Sequence, residues 1–402
     1  MLFELLYPLR HHVGGLNVLR YVPFRAVAAT LTAMLMSFLM SPWFIRELQK
    51  KQIGQVVRED EAAHHQVKRG TPTMGGALVL LCLLVPTVLW ADPKSVFVWS
   101  TAAVTAGYGV IGYLDDYLKI RHKSSEGLPG RYKLVGQFLV GGAALGYLFL
   151  GQKGLPHDWL AIRTHLAVPF LAFSKHTIAL PPGVYFAFAL IVVVGMSNGV
   201  NLTDGADGLA IGPVIVNAVT YLVIAYLTGA VVSGMVLAKY LNVAPEISKA
   251  IARPDVYFSF ARYLDIPSIA AASELTIYCG AMVGAGIGFL WFNAFPASVF
   301  MGDVGALALG GGIGMLAVLT KSELLSLLIG GIFVVEAGSS FVQTMWFKAT
   351  RRFTGTPRRL FLRAPFHHHL EAKGWPETKI VVRFWIISIL LALVSVAQLK
   401  VR

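Results

Sequence analysis

The sequence predicts an all-α, polytopic membrane protein with about ten transmembrane helices, and three observations predict it. Of 402 residues, 56% are hydrophobic and 14% charged, against roughly 25% charged in a soluble globular domain. Apolar stretches of about 17 to 25 residues, the length that crosses a hydrocarbon core, recur along the whole chain. Between them, basic residues collect in alternate connections, as in a membrane protein with one face in the cytoplasm.

The first stretch lies near 22–44. Residues 1–21 before it hold Arg10, His11, His12 and Arg20 but no long apolar core ending in a small-residue cleavage site, so the first span is expected to do the targeting. The second, near 74–91, opens on Thr71, Pro72 and Thr73, a sensible helix start. Spans near 96–114, 133–150, 184–200, 209–229 and 274–292 follow, then 304–320, 324–347 and 380–400. GGAALG in the fourth and GALALGGGIG in the eighth allow close approach of helix backbones, which lipid-embedded helices need because hydrophobicity does not drive them together. Cys82 and Cys279 both fall inside spans and read as small core residues, not as a disulfide framework or a zinc site.

The net charge of +13 does not point to nucleic acid, because of where the charge lies. Connections 45–73, 115–133 and 348–379 hold 6, 5 and 8 Lys+Arg, and the long intervening ones, 151–183 and 230–273, are sparser for their length. The positive-inside rule puts the basic set in the cytoplasm, and an even number of spans then leaves both termini periplasmic. Such loops attract anionic head groups and phosphorylated substrates at about 1 kcal/mol per residue. One membrane domain, 1–402, is expected, without linker or short-period repeat. The prolines of 151–183 and 230–273 mark irregular outer connections, of which 252–268 reads either as a head-group-layer segment or as a plain surface loop.

Five unusual polar segments all fall on the cytoplasmic face. KRGTPTMGG (68–76) enters span two and DDYLK (115–119) leaves span three. MSNGVNLTDGADGLA (196–210) joins spans five and six, WFNAFPASVFMGDVG (291–305) joins seven and eight, and RAPFHHHLEAKGW (363–375) joins nine and ten. Scattered structural polar residues would divide between both faces, so the convergence predicts a single site in the connections 45–73, 115–133, 201–208, 293–303 and 348–379.

Asp115 and Asp116 sit about 100° apart on a helix, which by simple geometry prevents both from facing one metal. A carboxylate pair at a helix C-terminus opposes the helix dipole and calls for a nearby cation, unless water alone serves it. One is expected to face a phosphate or its metal and the other a lysine or backbone amide. Asn201, Asp204 and Asp207 recur at spacings of three, sharing a face if helical; as a loop, their glycines allow close backbone approach, and a plain polar turn is the bland alternative. Asp303, ten residues after Asn293, offers a hard oxygen ligand that fits Mg²⁺ if Asp115 or Asp116 is near. Phe300 is either packing or a stacking platform for a base.

His367, His368 and His369 diverge in direction, so phosphate contact, proton transfer or carboxylate orientation suits them better than one zinc. The arginines before them form either a phosphate-facing cap or a lipid-anchoring loop. Lys68, Lys119 and Lys133 are ready phosphate or carbonyl partners, or ordinary interfacial lysines.

Together, RGTPTMGG, GYLDDYLKI, SNGVNLTDGADGLA, FNAFPASVFMGDVG and APFHHHLEAKGW resemble the phospho-N-acetylmuramoyl-pentapeptide transferases, within the polyprenyl-phosphate sugar-1-phosphate transferase superfamily. The match runs from near the N-terminus to VRFWIIS in the last span, and the HHH loop followed by KGW is its most specific part. The resemblance implies transfer of phospho-MurNAc-pentapeptide from UDP-MurNAc-pentapeptide to undecaprenyl phosphate, giving lipid I and UMP, with Mg²⁺ required. It implies a homodimer in the bacterial inner membrane, with the active site on the cytoplasmic face.

Residue by residue, the resemblance implies Asp303 as principal Mg²⁺ ligand, with Asp115 supporting the metal or activating the lipid phosphate. Asp116, His367 and His368 would complete the catalytic group. Lys68, Thr73, Lys133, Asn201, Asp204, Asp207, Asn293, Phe300, Gly302 and Gln343 would bind substrate, Phe300 stacking on uracil. The stretches 230–273 and 347–363 look longer than the family pattern. A transferase of UDP-N-acetylhexosamine is the rival within the superfamily. A secondary transporter is the rival outside it, and would need mid-membrane acids in paired repeats.

Overall fold

The computed structural model describes residues 2–50, 71–122, 127–151, 154–233, 236, 238, 253 and 256–400. Its main elements are α1 (Val22–Lys50), α2 (Gly76–Trp90), α3 (Val96–His122), α4 (Gly130–Leu150), α5 (Pro182–Thr203) and α6 (Ile211–Gly229). They continue with α7 (Leu275–Asn293), α8 (Gly302–Leu319), α9 (Gly331–Thr354), the short α10 (Phe366–Ala372) and α11 (Glu377–Ala397). Proline sets several starts: Pro129, Pro181, Pro365 and Pro376 immediately precede α4, α5, α10 and α11, where the missing N–H costs nothing.

Eight helices are long and apolar enough to cross a membrane, and each coincides with an expected span. The protein is an all-α, multi-pass membrane protein. The other two expected spans differ in form. α2 has 15 residues, about 22 Å of helix, and is preceded by a non-helical segment at 71–74. The span expected at 324–347 is broken into a helix Ser326–Ile329 and α9, and the charges of α9 exclude it as a uniformly apolar helix.

α8 is the axis of the bundle, buried from Val304 through Leu319. Its small residues let it lie against α3 and α5, with α2 and α6 alongside, so the close packing expected of GALALGGGIG is present. Cys82 and Cys279 are buried thiols.

Residues 4 and 400 both lie at the end of the bundle away from Asp115 and Asp303. Glu4 pairs with Lys94 of the α2–α3 connection at 3.1 Å. Lys400 donates to the Tyr263 hydroxyl, in the α6–α7 connection, at 2.7 Å. Two antiparallel ribbons, His165–Ala167 with Thr177–Ala179 and Val231–Ser233 with Tyr257–Ser259, belong to that end. At 252–268 the described part is thus a strand and a one-turn helix, Phe260–Leu264.

Candidate active site

α3 does not stop at residue 114 but runs to His122, so Asp115 and Asp116 are helical and enclosed by protein. Both are buried. A close approach of α3 to α8 brings them to Asp303: a methyl group at Gly112 would overlap the Asp303 carbonyl, so only glycine fits. The start of α8 is clamped from the other side. Phe300 N–H donates to Pro72 O, Gly75 N–H to Phe300 O and Gly76 N–H to Met301 O, each at 2.8 Å. Gly302, at φ +72°, then turns the chain into α8 beside Asp116 and the Thr73 hydroxyl.

One oxygen from each of Asp115, Asp116 and Asp303 lies within 4.8 Å of the others, an arrangement that could hold a metal ion. Lys133 Nζ is 2.7 Å from Asp303 Oδ2 and 3.0 Å from Asp115 Oδ1. Lys119 Nζ is 2.5 Å from Asp115, 3.4 Å from Asp303 and 3.6 Å from Asp116. Asp115 also accepts the Leu128 N–H at 2.6 Å, and Asp116 accepts the Val304 N–H, in the first turn of α8, at 3.3 Å.

This geometry corrects the sequence-based division of labour. The 100° offset does not keep the two aspartates apart from one metal, because Asp303 comes from another helix and sits within reach of both. Lys119 lies closer to Asp115 than to Asp116, which accepts a backbone amide instead.

Asp204 caps the C-terminal end of α5, its own N–H donating to Asn201 O at 3.2 Å. Burial, then the charges of Asp303 and Asp116, push its carboxyl up to about 8, against a hydrogen bond from the Gly302 N–H that pulls it down. Two lysines therefore leave the acids under-neutralised. A hard, all-oxygen set with excess negative charge suits Mg²⁺, which commonly takes one or two carboxylates together with water and substrate phosphate.

Other expected residues build the walls. Asp207 is buried; its Oδ2 accepts the Ala297 N–H at 3.0 Å and its N–H donates to Glu377 Oε1 at 2.8 Å. Asn293 accepts the Gly208 N–H at 3.1 Å and donates to Val299 O at 2.9 Å. Both tie the 204–208 and 294–301 segments together, so they shape the pocket. Phe300 is half-buried within the clamp. Gln343 holds the chain at 360–361: its Oε1 accepts the Leu360 and Phe361 N–H groups at 3.0 and 2.9 Å, and its Nε2 donates to Phe361 O at 3.1 Å. Lys68 lies outside the described residues.

The histidines take different partners, but against the expected divergence the His367 and His368 rings lie side by side. His367 is buried, its main-chain N–H 3.0 Å and its Nδ1 2.7 Å from the two oxygens of Glu336. Its Nε2 has no hydrogen-bond partner among the described residues and faces Gly205, where a methyl group would strike it. His368 Nδ1 is 2.8 Å from Glu371, and its ring centroid is 4.1 Å from that of His367. His369 accepts the Leu362 N–H at 3.1 Å.

Glu336 and Glu377 were not found from sequence. A lone acid in the apolar run FVVEAG was the available signal for Glu336, since ionisable residues within membrane spans are costly and mark functional or paired positions.

A model described as glycosyl transferase family 4 matches residues 98–321, from the start of α3 to just past α8. A phospho-N-acetylmuramoyl-pentapeptide-transferase of Sorangium cellulosum is 60% identical over 405 residues, covering 100% of both chains. Proteins with the same name from Citrifermentans bemidjiense and an Anaeromyxobacter species are each 45% identical, again over 100% of both chains.

Proposed function

Because the chain belongs to the phospho-N-acetylmuramoyl-pentapeptide transferases, within glycosyl transferase family 4, we propose that the cluster of Asp115, Asp116, Asp303, Lys119 and Lys133 is where it makes lipid I. The enzyme acts in peptidoglycan biosynthesis, transferring phospho-MurNAc-pentapeptide from UDP-MurNAc-pentapeptide to a polyprenyl phosphate. The acceptor is undecaprenyl phosphate, the membrane is the bacterial inner membrane, and the site faces the cytoplasm, as the basic connections on its side support. Its homodimeric state rests on the family resemblance alone.

An oxygen of the lipid phosphate attacks the sugar-bound phosphorus of the donor. A new P–O–P bond forms, the bond to the bridging oxygen of the uridine-side phosphate breaks, and UMP leaves with that electron pair. We take the attack to be direct, because a lipid phosphate needs little help from a base. Catalysis then comes chiefly from positioning and charge neutralisation.

Lys119 and Lys133 provide positive charge for the diphosphate, and the Asn293 and Asp207 ties fix the pocket wall. Asp115, Asp116 and Asp303 would hold Mg²⁺, which when bound neutralises phosphate charge. Phe300 and Thr73 lie at the clamp where the nucleoside enters. Glu336 fixes the His367 ring, leaving Nε2 toward Gly205 and the phosphates.

The observation that carries this reading is the convergence of three carboxylates and two lysines from α3, α4 and α8. The test is synthesis of radiolabelled lipid I in detergent, with and without Mg²⁺, by wild type and Asp303→Ala. Only the wild type with metal should turn over. Activity without any divalent ion, or near-normal turnover by the variant, would remove the site; conversion of UDP-N-acetylglucosamine but not UDP-MurNAc-pentapeptide would remove the substrate.

A further inference from the structure

One helical turn below the acidic cluster, toward the middle of the bundle, lies a layer of hydrogen bonds that the transfer chemistry does not use. Its centre is Gln137 of α4, which is wholly buried. Gln137 Nε2 donates to Ser197 Oγ of α5 at 3.2 Å, and Ser197 Oγ donates in turn to the Leu307 carbonyl of α8 at 2.8 Å. Gln137 Oε1 accepts from Asn198 Nδ2, also of α5, at 2.8 Å. The Tyr108 hydroxyl of α3 donates to the Gln137 carbonyl at 2.9 Å. α3, α4, α5 and α8 are thus tied together through one residue.

The register of this layer repeats that of the site. Gln137 is four residues from Lys133, Leu307 four from Asp303, Ser197 four from Asn201 and Tyr108 four from Gly112. Four residues are about one turn and about 6 Å of helix, so each member lies on the same helix face as a residue of the layer above.

α4 depends on these bonds more than its neighbours do. Of residues 130–140, the half of α4 that carries Lys133, Gln137 alone is buried. α8, by contrast, is buried from Val304 through Leu319 and is held by packing. Hydrophobicity gives α4 no preferred rotation against the bundle, because lipid tails are as apolar as the neighbouring helices. Directional hydrogen bonds do give one. With both ends of the Gln137 amide engaged, α4 cannot turn or slide without breaking bonds that hydrocarbon does not replace.

Lys133 needs such a fixed helix. Its Nζ reaches Asp303 at 2.7 Å and Asp115 at 3.0 Å, and those acids belong to α8 and α3. A rotation of α4 would carry the ammonium away from both, and a misplacement of about 1 Å can cost about 10²-fold in rate.

We infer that Gln137 is a positioning residue for the transfer reaction: it fixes α4 so that Lys133 meets the phosphates, and it touches no substrate itself. The inference rests on the site proposed above.

The test is a double-mutant cycle in the lipid I assay at saturating donor, using the full chain in detergent. Gln137→Met, apolar and of similar length, removes both side-chain bonds. With Lys133 present it should lower kcat about tenfold, as expected when a group that orients a functional side chain is lost. In a Lys133→Met background there is no ammonium to misplace, and the same substitution should cost less than about twofold. Equal losses in the two backgrounds would show that Gln137 merely supports the fold, and would overturn the inference. A Gln137→Met enzyme with wild-type kcat overturns it as well. Where Gln137→Met lowers the yield of folded protein, Asn198→Ala at its half-buried position removes only the bond to Gln137 Oε1 and the one to Val194 O. It should lose a smaller factor, again only where Lys133 is present, and a loss independent of Lys133 counts against the inference. The site reading fails by a different result: Lys133→Met turning over at the wild-type rate would remove Lys133 from the reaction, and the positioning role with it.

Discussion

Lys133, in the first turn of α4, lies 2.7 Å from Asp303, in the first turn of α8, and so joins two helices at the point where we propose that phosphate charge is neutralised. Losing one such preorganised donor typically costs about 10²- to 10³-fold in turnover. Lys133→Met is expected to fall by about that factor with the fold intact, and Lys133→Arg to recover part of it. The lipid I assay at saturating donor reads both; a Met variant within a few-fold of wild type would contradict the role.

If Asp115, Asp116 and Asp303 form the one metal centre proposed, Asn at any of the three should raise the Mg²⁺ concentration needed for half-maximal activity. Asp303→Asn and Asp115→Asn also lose their pairing with Lys133 and should have the larger effects. A metal titration of the three variants checks this, and an Asp116→Asn enzyme with wild-type Mg²⁺ dependence would exclude Asp116 from the centre.

Glu336 orients His367 through both of its oxygens. Glu336→Gln keeps the shape but weakens the hold on the ring, and is expected to lower kcat about tenfold or more, in the range of a single acid–base or orienting contribution. It should also displace the pH–rate profile, whereas a merely structural Glu336 would alter thermal stability and leave the profile in place.

Asp204 gives stability a definite dependence on pH. Its carboxyl titrates near 8 in the folded protein, against an ordinary value of 3.8. Between these values the native state holds the extra proton, so raising the pH through this window removes stability from the metal-free protein. Melting temperature in detergent with chelator should decline from pH 5 to pH 8.5 for wild type and decline less for Asp204→Asn. Parallel curves would show that Asp204 is not the titrating group.

Gly112 fixes the spacing of α3 and α8. Gly112→Ala must push the Asp303 backbone away, and overpacking of this kind costs about 1–3 kcal/mol. Activity should fall by a larger factor than a thermal melt alone accounts for, because the same displacement separates the acids.

Much of this was legible in the sequence because acids and amides are expensive in an apolar chain and therefore stand out. DDYLK, NLTDGADG and MGDVG were found that way, and α3, α5 and α8 bring Asp115, Asp116, Asp204 and Asp303 together. What sequence did not supply was the geometry between helices. The offset of Asp115 from Asp116 is a property of one helix, but where Asp303 meets them depends on Gly112. Gln343 was expected at the nucleotide, and its amide also holds residues 360 and 361, a contact that no pattern announces. Glu336 obeyed the same rule as the other acids but stood alone, without a motif around it.

Residues 4 and 400 both anchor at the end of the bundle remote from the acids, which constrains how the enzyme can be joined to others. With the site facing the cytoplasm, as proposed above, an enzyme that makes the donor, fused at either end, would begin on the wrong side of the membrane to hand over its product. The exposed turn around Thr356, on the catalytic side, offers an insertion point where a fused partner would share a compartment with the site. The same asymmetry provides a genetic reading of orientation: a reporter that matures only in the cytoplasm should be dark at either end and bright when inserted in that turn.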